Sequence, residues 1–190
     1  MNRAVFLDRD GVITQDPPHY AHKLSQLALI PRSADAIRLL NENEFKVIVV
    51  SNQSGIARGY YREEDAVLFN QAMKEMLGNN SARIDAIYYC PHHPEAKIGK
   101  YRIDCNCRKP KPGMLKRAEE ELDIDLKQSF MVGDKLSDIG AGKGGGCKTI
   151  MVRTGHGIEE LKSNEISCDY IANDLYDAVE RILYLSHRLE

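Results

Sequence analysis

Two short apolar runs constrain the fold of this chain more than anything else in it, because both are continuous where a half-exposed strand would alternate. Val5-Phe6-Leu7 and Lys46-Val47-Ile48-Val49-Val50 have the length of strands, and a strand with no polar face is covered on both sides, as in a parallel sheet. Ile84 to Tyr89, Ser129 to Val132 and Lys148 to Val152 supply three more strands, and Tyr170 and Ile171 a short sixth. Helical spacing recurs between them, over about Ala34 to Asn43, Glu63 to Leu77, Gly113 to Leu122 and Leu175 to Leu189. Strands alternating with helices predict an α/β fold built on a parallel sheet.

The 190 residues suit one domain spanning 1–190. Net charge is -2, from 26 basic and 28 acidic residues spread along the chain, which gives no broad basic face and argues against a nucleic-acid partner. No apolar stretch approaches the roughly 20 residues that span a bilayer, and Met1-Asn2-Arg3 leads straight into a strand. The expectation is a cytoplasmic monomer with no membrane partner. Five cysteines, three of them between 90 and 107, suit a reducing compartment and a metal site better than a disulfide framework.

Chemistry is read at the ends of the strands, where open α/β sheets bind their ligands. The first run stops at Asp8-Arg9-Asp10-Gly11. Alternate side chains of an extended segment share a face, so Asp8 and Asp10 face one ligand, and two such carboxylates call for a hard cation, Mg2+. The plain alternative is a solvated turn. A calcium loop counted from Asp8 fails, since Ile13 and His19 stand where it needs Gly and Glu. The second run stops at Ser51-Asn52-Gln53-Ser54-Gly55, whose hydroxyl and backbone N–H groups suit phosphate oxygens, although a lone Ser after a strand is commonly only a cap. The fourth ends in Gly133-Asp134-Lys135-Leu136-Ser137-Asp138, where Asp134 has helix capping as its ordinary role.

The most specific local feature is Cys90-Pro91-His92 with Cys105-Asn106-Cys107. Three thiolates and an imidazole suit tetrahedral zinc and leave no position for a reacting water, which reads as a structural zinc held by Cys90, His92, Cys105 and Cys107, with His93 open as a substitute for His92. Core cysteines are the alternative, but the intervening stretch is polar. Arg108-Lys109 follows at once, so the metal would aim a cation that is normally solvated. Gly140 to Thr149 fails as a nucleotide phosphate loop, because Cys147 stands at its second required glycine.

Taken together, Asp8-Arg9-Asp10-Gly11, Ser51-Asn52, Lys109 and Gly133 to Asp138 resemble the haloacid dehalogenase-like phosphohydrolases over nearly the whole chain. The resemblance implies a three-layer Rossmann-like parallel sheet (haloacid dehalogenase-like) with a minimal cap and a zinc-stabilised loop, and a Mg2+-dependent phosphomonoesterase with an aspartyl-phosphate intermediate. In that mechanism Asp8 is the nucleophile and Asp10 the general acid and base. Asp8, Asp134 and the carbonyl of Asp10 hold Mg2+, Ser51 and Lys109 steady the phosphoryl oxygens, and Asp138 supports them. Asp16, Tyr20, Asn52, Gln53, Ser54, Arg108 and Lys135 are the candidates for reading the rest of the substrate. Within the family, a neutral Ser54 followed by Ile56, Ala57 and Arg58 argues for an anionic sugar bisphosphate over the phosphate of a cationic amino alcohol, and for such a substrate the resemblance implies a place in lipopolysaccharide core precursor synthesis. A zinc-stabilised module that only binds phosphosugars is the third reading, and it leaves Asp10 without a purpose. Ser51 stands where threonine is common, and the glycines at 144–146 predict a shortened or frayed helix, since an interior Gly costs about 1 kcal/mol relative to Ala.

Overall fold

The computed structural model describes residues 1–18, 20–163, 165 and 167–186. Six strands, β1 (Ala4–Leu7), β2 (Lys46–Asn52), β3 (Ala86–Cys90), β4 (Phe130–Gly133), β5 (Lys148–Val152) and β6 (Tyr170–Ala172), form one sheet in the order β3-β2-β1-β4-β5-β6, every neighbouring pair parallel. The helices are α1 (Ser33–Glu42), α2 (Ser54–Ala57), α3 (Glu63–Gly78), α4 (Gly113–Leu122), α5 (Leu136–Gly145), α6 (Gly157–Ser163) and α7 (Leu175–Ser186).

The unbroken apolar runs are explained by two cores. Val5, Leu7, Val47, Val49 and Val132 face α1, α3 and α7, whereas Ala4, Phe6, Ile48, Val50 and Met131 face α4 and α5. Adjacent residues therefore serve opposite layers, and each fully buried Val, Leu, Ile or Phe side chain contributes roughly 1.5–3 kcal/mol. Among the described residues no helix is long and apolar enough to cross a membrane.

Register carries this pattern to the site. Leu7 pairs with Val49 on one side and Val132 on the other. One step on, Asp8 stands level with Val50 and Gly133, and Ser51 and Asp134 come one residue later. Strand order reverses between β1 and β4, so these tips flank the switch point where open α/β sheets leave a crevice.

Strand β2 runs on through Asn52, so Ser51 and Asn52 belong to the strand instead of following it, and β3 starts at Ala86 and keeps Cys90. The short helices α2 and α6 have no apolar periodicity long enough to announce them. The last helix is described to Ser186, and the part expected through Leu189 lies outside the described residues.

The expected fraying of α5 is wrong: it is a regular helix through Gly145, closed by Gly146 at φ +89°. Packing overrides propensity. A Cβ on Gly142 would stand 2.7 Å from both Met131 Cβ and Thr149 Cγ2, and one on Gly140 would stand 2.7 Å from Pro110 Cβ. The glycines thus seat α5 directly on β4, β5 and the segment that carries Lys109.

Candidate active site

Lys109 joins the strand tips. Its side chain is only 1% exposed, and Nζ lies 2.9 Å from Asp8 Oδ1 and 2.7 Å from Asp138 Oδ1 while donating to the Val50 carbonyl at 2.7 Å. Its backbone is fixed by Asn52, whose Oδ1 accepts from the Lys109 N–H and whose Nδ2 donates to the Lys109 carbonyl, both at 3.0 Å. An ammonium this deep requires compensating charge. Burial works against it, but Asp138 and Asp8 more than offset that and hold its pKa above the usual lysine range.

The same balance divides the carboxylates. Burial opposes ionisation of Asp8, yet Lys109 and then Lys135 outweigh it and hold the group below the ordinary range. Asp134, fully buried, is pushed up to about 8, first by burial and next by the charge on Asp8. Its Oδ2 accepts the His156 N–H at 2.8 Å, while Oδ1 is buried without a partner. Asp138 is raised by burial as well, and its Oδ2 accepts the Lys135 N–H at 3.0 Å.

Carboxylate oxygens of Asp8, Asp134 and Asp138 lie within 4.8 Å of one another. A hard cation fits this set, because it would offset the burial and the repulsion that push Asp134 upward and give its orphaned oxygen a partner. The backbone makes room: a Cβ on Gly11 or Gly155 would fall 2.3 or 2.2 Å from Asp134 Oδ2.

Asp10 is turned differently. Its Oδ1 accepts Arg9 Nε at 2.9 Å and Thr14 Oγ1 at 3.1 Å, and its Oδ2 accepts Arg9 Nη2 at 2.9 Å and Gln53 Nε2 at 3.2 Å. Its carboxylate is thus outside the acidic cluster but on the wall of the same cavity.

That cavity measures about 730 Å³ and is lined by Asp8, Asp10, Ser51 and Lys109, and also by Asp16, Tyr20, Asn52, Ser54, Arg108 and Lys135. Two residues expected here do not line it: Asp134, which lies beneath it in the acidic cluster, and Gln53. Buried at 2% exposure, its amide bridges Asp10 and Ser51 Oγ (2.8 Å) and accepts from Tyr61 Oη at 2.7 Å, so the substrate-reading role does not fit it. His156 and Ser137 line the cavity without having been singled out in the sequence. His156 Nε2 and Lys135 Nζ both lie 3.2 Å from Asp16 Oδ2, closing one side of the mouth. The signal for His156 was available, since Arg153-Thr154-Gly155-His156 leaves the tip of β5 as the other site segments leave theirs.

The second cluster gathers Cys90, His92, Cys105 and Cys107, with donor atoms within 4.8 Å of one another. Sulfur separations are 3.5 Å for Cys90–Cys105 and 3.2 Å for Cys105–Cys107, and His92 Nδ1 lies 3.7 Å from Cys90 Sγ and 3.4 Å from Cys107 Sγ. These approximate the edges of about 3.4–3.8 Å that bond lengths of a tetrahedral zinc site imply. Burial pushes the Cys90 thiol far up, so a thiolate there calls for a cation. His93 is committed elsewhere, its Nδ1 accepting from the Glu95 N–H and its Nε2 lying 3.3 Å from Arg58 Nη2. Arg108 Nη1 donates to the His92 carbonyl at 3.1 Å and to Ser54 Oγ at 2.8 Å, which ties the cluster to the cavity wall.

Residues 106–178 match a family model described as HAD-hydrolase-like. The D-glycero-beta-D-manno-heptose-1,7-bisphosphate 7-phosphatase of Pasteurella multocida strain Pm70 is 44% identical over 93% of this chain and 95% of its own length. Its Escherichia coli K12 counterpart is 41% identical over 94% and 93%. Among solved structures, the D,D-heptose 1,7-bisphosphate phosphatase of B. bronchiseptica, complexed with magnesium and phosphate, superposes with a TM-score of 0.87 at 32% identity, covering 96% of this chain and 99% of that one.

Proposed function

The chain belongs to the haloacid dehalogenase-like hydrolases, among the D-glycero-D-manno-heptose-1,7-bisphosphate 7-phosphatases, and from that premise we propose how its own residues carry the reaction. It is a phosphomonoesterase that removes the 7-phosphate of D-glycero-D-manno-heptose 1,7-bisphosphate. Asp8 attacks phosphorus in line, the bond from phosphorus to the sugar O7 breaks, and Asp10 delivers a proton to that oxygen. Water then attacks the phosphorus of the aspartyl phosphate and gives its proton to Asp10, restoring Asp8 and releasing phosphate. Asp8 Oδ1 is engaged by Lys109 and the Arg9 N–H, which reserves Oδ2 for the attack. Ser51 and Lys109 hold the phosphoryl oxygens.

Mg2+ would be held by Asp8, Asp134 and the Asp10 carbonyl, and bound there it neutralises charge on the transferring phosphoryl group. Asp138, which holds Lys109, completes the cluster. Asp16, Tyr20, Asn52, Ser54, Arg108 and Lys135 meet the heptose and its 1-phosphate. Zn2+ held by Cys90, His92, Cys105 and Cys107 fixes the His92 carbonyl and through it Arg108. The wall is assembled from strand tips and the loops that follow them within one sheet-centred unit, in keeping with a single-domain enzyme, and the thiol cluster suits the cytoplasm.

The observation that carries the substrate assignment is the pairing of Arg108 with the neutral Ser54 hydroxyl. No carboxylate on that contact consumes the guanidinium, which leaves it for an anion and makes the wall unsuited to a cationic amino alcohol. With Mg2+ present, kcat/KM for the heptose bisphosphate is expected to exceed that for histidinol phosphate by about 100-fold or more. A preference for histidinol phosphate would overturn the assignment.

Stripping zinc, or replacing Cys107→Ala, is expected to lower kcat/KM by about 10-fold or more by freeing Arg108, with the Mg2+ activation constant within about twofold of the parent. Parent-like turnover in a protein verified to be zinc-free would break the link between the two clusters.

A further inference from the structure

Arg9 heads the largest fully buried side chains of the molecule, at 1% exposure, and it does not line the cavity. Burying a guanidinium is costly unless its donors are matched, and here they are. Nε and Nη2 form a fork on the two carboxylate oxygens of Asp10, both at 2.9 Å. The remainder of the group is anchored away from Asp10. Nη1 donates to Asn70 Oδ1 of α3 at 2.9 Å, Nη2 to the Ala21 carbonyl at 2.9 Å and to Gln53 Oε1 at 3.2 Å, and the guanidinium carbon stands 4.5 Å from the Phe69 ring centroid.

We infer that Arg9 is the positioning residue for Asp10, aligning its carboxylate against the sugar O7 by tying it to α3 and to the loop that carries Asp16 and Tyr20. The inference rests on the reading of Asp10 as general acid and base. A side chain on the turn after a strand has several rotamers, and only one brings the acid to the leaving oxygen. A misplacement of about 1 Å is enough to cost on the order of 100-fold in rate. Two parallel N–H bonds fix the plane of a carboxylate as well as its place, which a lysine ammonium cannot do. Apart from the backbone N–H given to Asp8, which a substitution keeps, Arg9 does not line the cavity, so its side chain reaches the reaction only through Asp10 and its neighbours.

The test compares two leaving groups. The heptose O7 needs a proton to depart, whereas p-nitrophenolate leaves without one, so the first-turnover burst from p-nitrophenyl phosphate reports Asp8 attack independently of Asp10. Arg9→Gln and Arg9→Lys are expected to lower kcat for the heptose bisphosphate by about 100-fold, with KM and the nitrophenolate burst rate within about threefold of the parent. Equal slowing of both substrates, or heptose turnover above about a third of the parent, would overturn the positioning role. Asp10→Asn is run alongside. Should it fail to separate the two leaving groups, the fault lies with the acid–base reading of Asp10; should it separate them while the Arg9 variants do not, the fault lies with Arg9. If the Arg9 variants do not fold, Asn70→Ser removes a single anchor, and about a fivefold loss on the heptose substrate alone is expected. Unchanged heptose kinetics in a folded Asn70→Ser protein would count against the inference.

Discussion

Replacing Asp8→Asn is expected to lower turnover by about 10⁴-fold or more while leaving the metal-free protein about as stable as the parent. The loss follows from removing the nucleophile, since an amide oxygen neither attacks phosphorus nor forms the acyl phosphate. The stability follows from the neighbours. Asparagine can keep the oxygen that accepts from the Arg9 N–H, Lys109 keeps Asp138, and Asp134 loses the charge that, after burial, does most to push it upward. Asp8 therefore stands between lysines that hold its charge and the carboxylates of Asp134 and Asp138 that it repels, and removing the charge gives up the first while relieving the second. A Tm within a few degrees of the parent, measured without Mg2+, together with lost phosphate release is the expected pair of results. Loss of Tm by ten degrees or more would mean that Asp8 stabilises the fold.

Lys109→Met should fail on both counts. The methionine fills much of the volume but leaves Asp8 and Asp138 facing each other, and the Val50 carbonyl loses the donor at 2.7 Å. Breaking a buried ion pair from one side costs about 3–5 kcal/mol, and losing a charged donor to the phosphoryl group costs a further 10²- to 10³-fold in kcat by ordinary experience with such sites. Removing a second charge should relieve part of the structural cost, so Lys109→Met combined with Asp138→Asn is expected to regain stability without regaining turnover. Recovery of turnover in the double variant would show that Lys109 acts only as a structural counter-ion.

Much of this was legible before the fold was known, for a physical reason: continuous apolar runs impose a parallel sheet, and a parallel sheet brings the ends of its strands to one edge. Asp8, Ser51 and Asp134 were found in that way, and Lys109 by its distance from a metal-ligand pattern. Arg9 was not, because a residue between two acids reads as a spacer until its contacts with Asn70 and Phe69, far along the chain, are seen. Gln53 was misjudged for a related reason. It adjoins two strand-tip residues, but the chain turns into α2 there and carries its amide inward. The glycines at 144–146 were read by local propensity, which contains no information about the packing of Gly144 against Pro112 and of Gly145 against Leu115.

The account depends on a phosphoryl group passing through Asp8. Millisecond acid quenching of the enzyme with Mg2+ and the heptose bisphosphate, followed by mass mapping of the peptide that contains Asp8, tests this directly. A phosphoryl group on Asp8 that precedes free phosphate, and is absent from Asp8→Asn, is the result expected. Phosphoryl transfer to a different residue, or phosphate release by Asp8→Asn at the parent's rate, would contradict it.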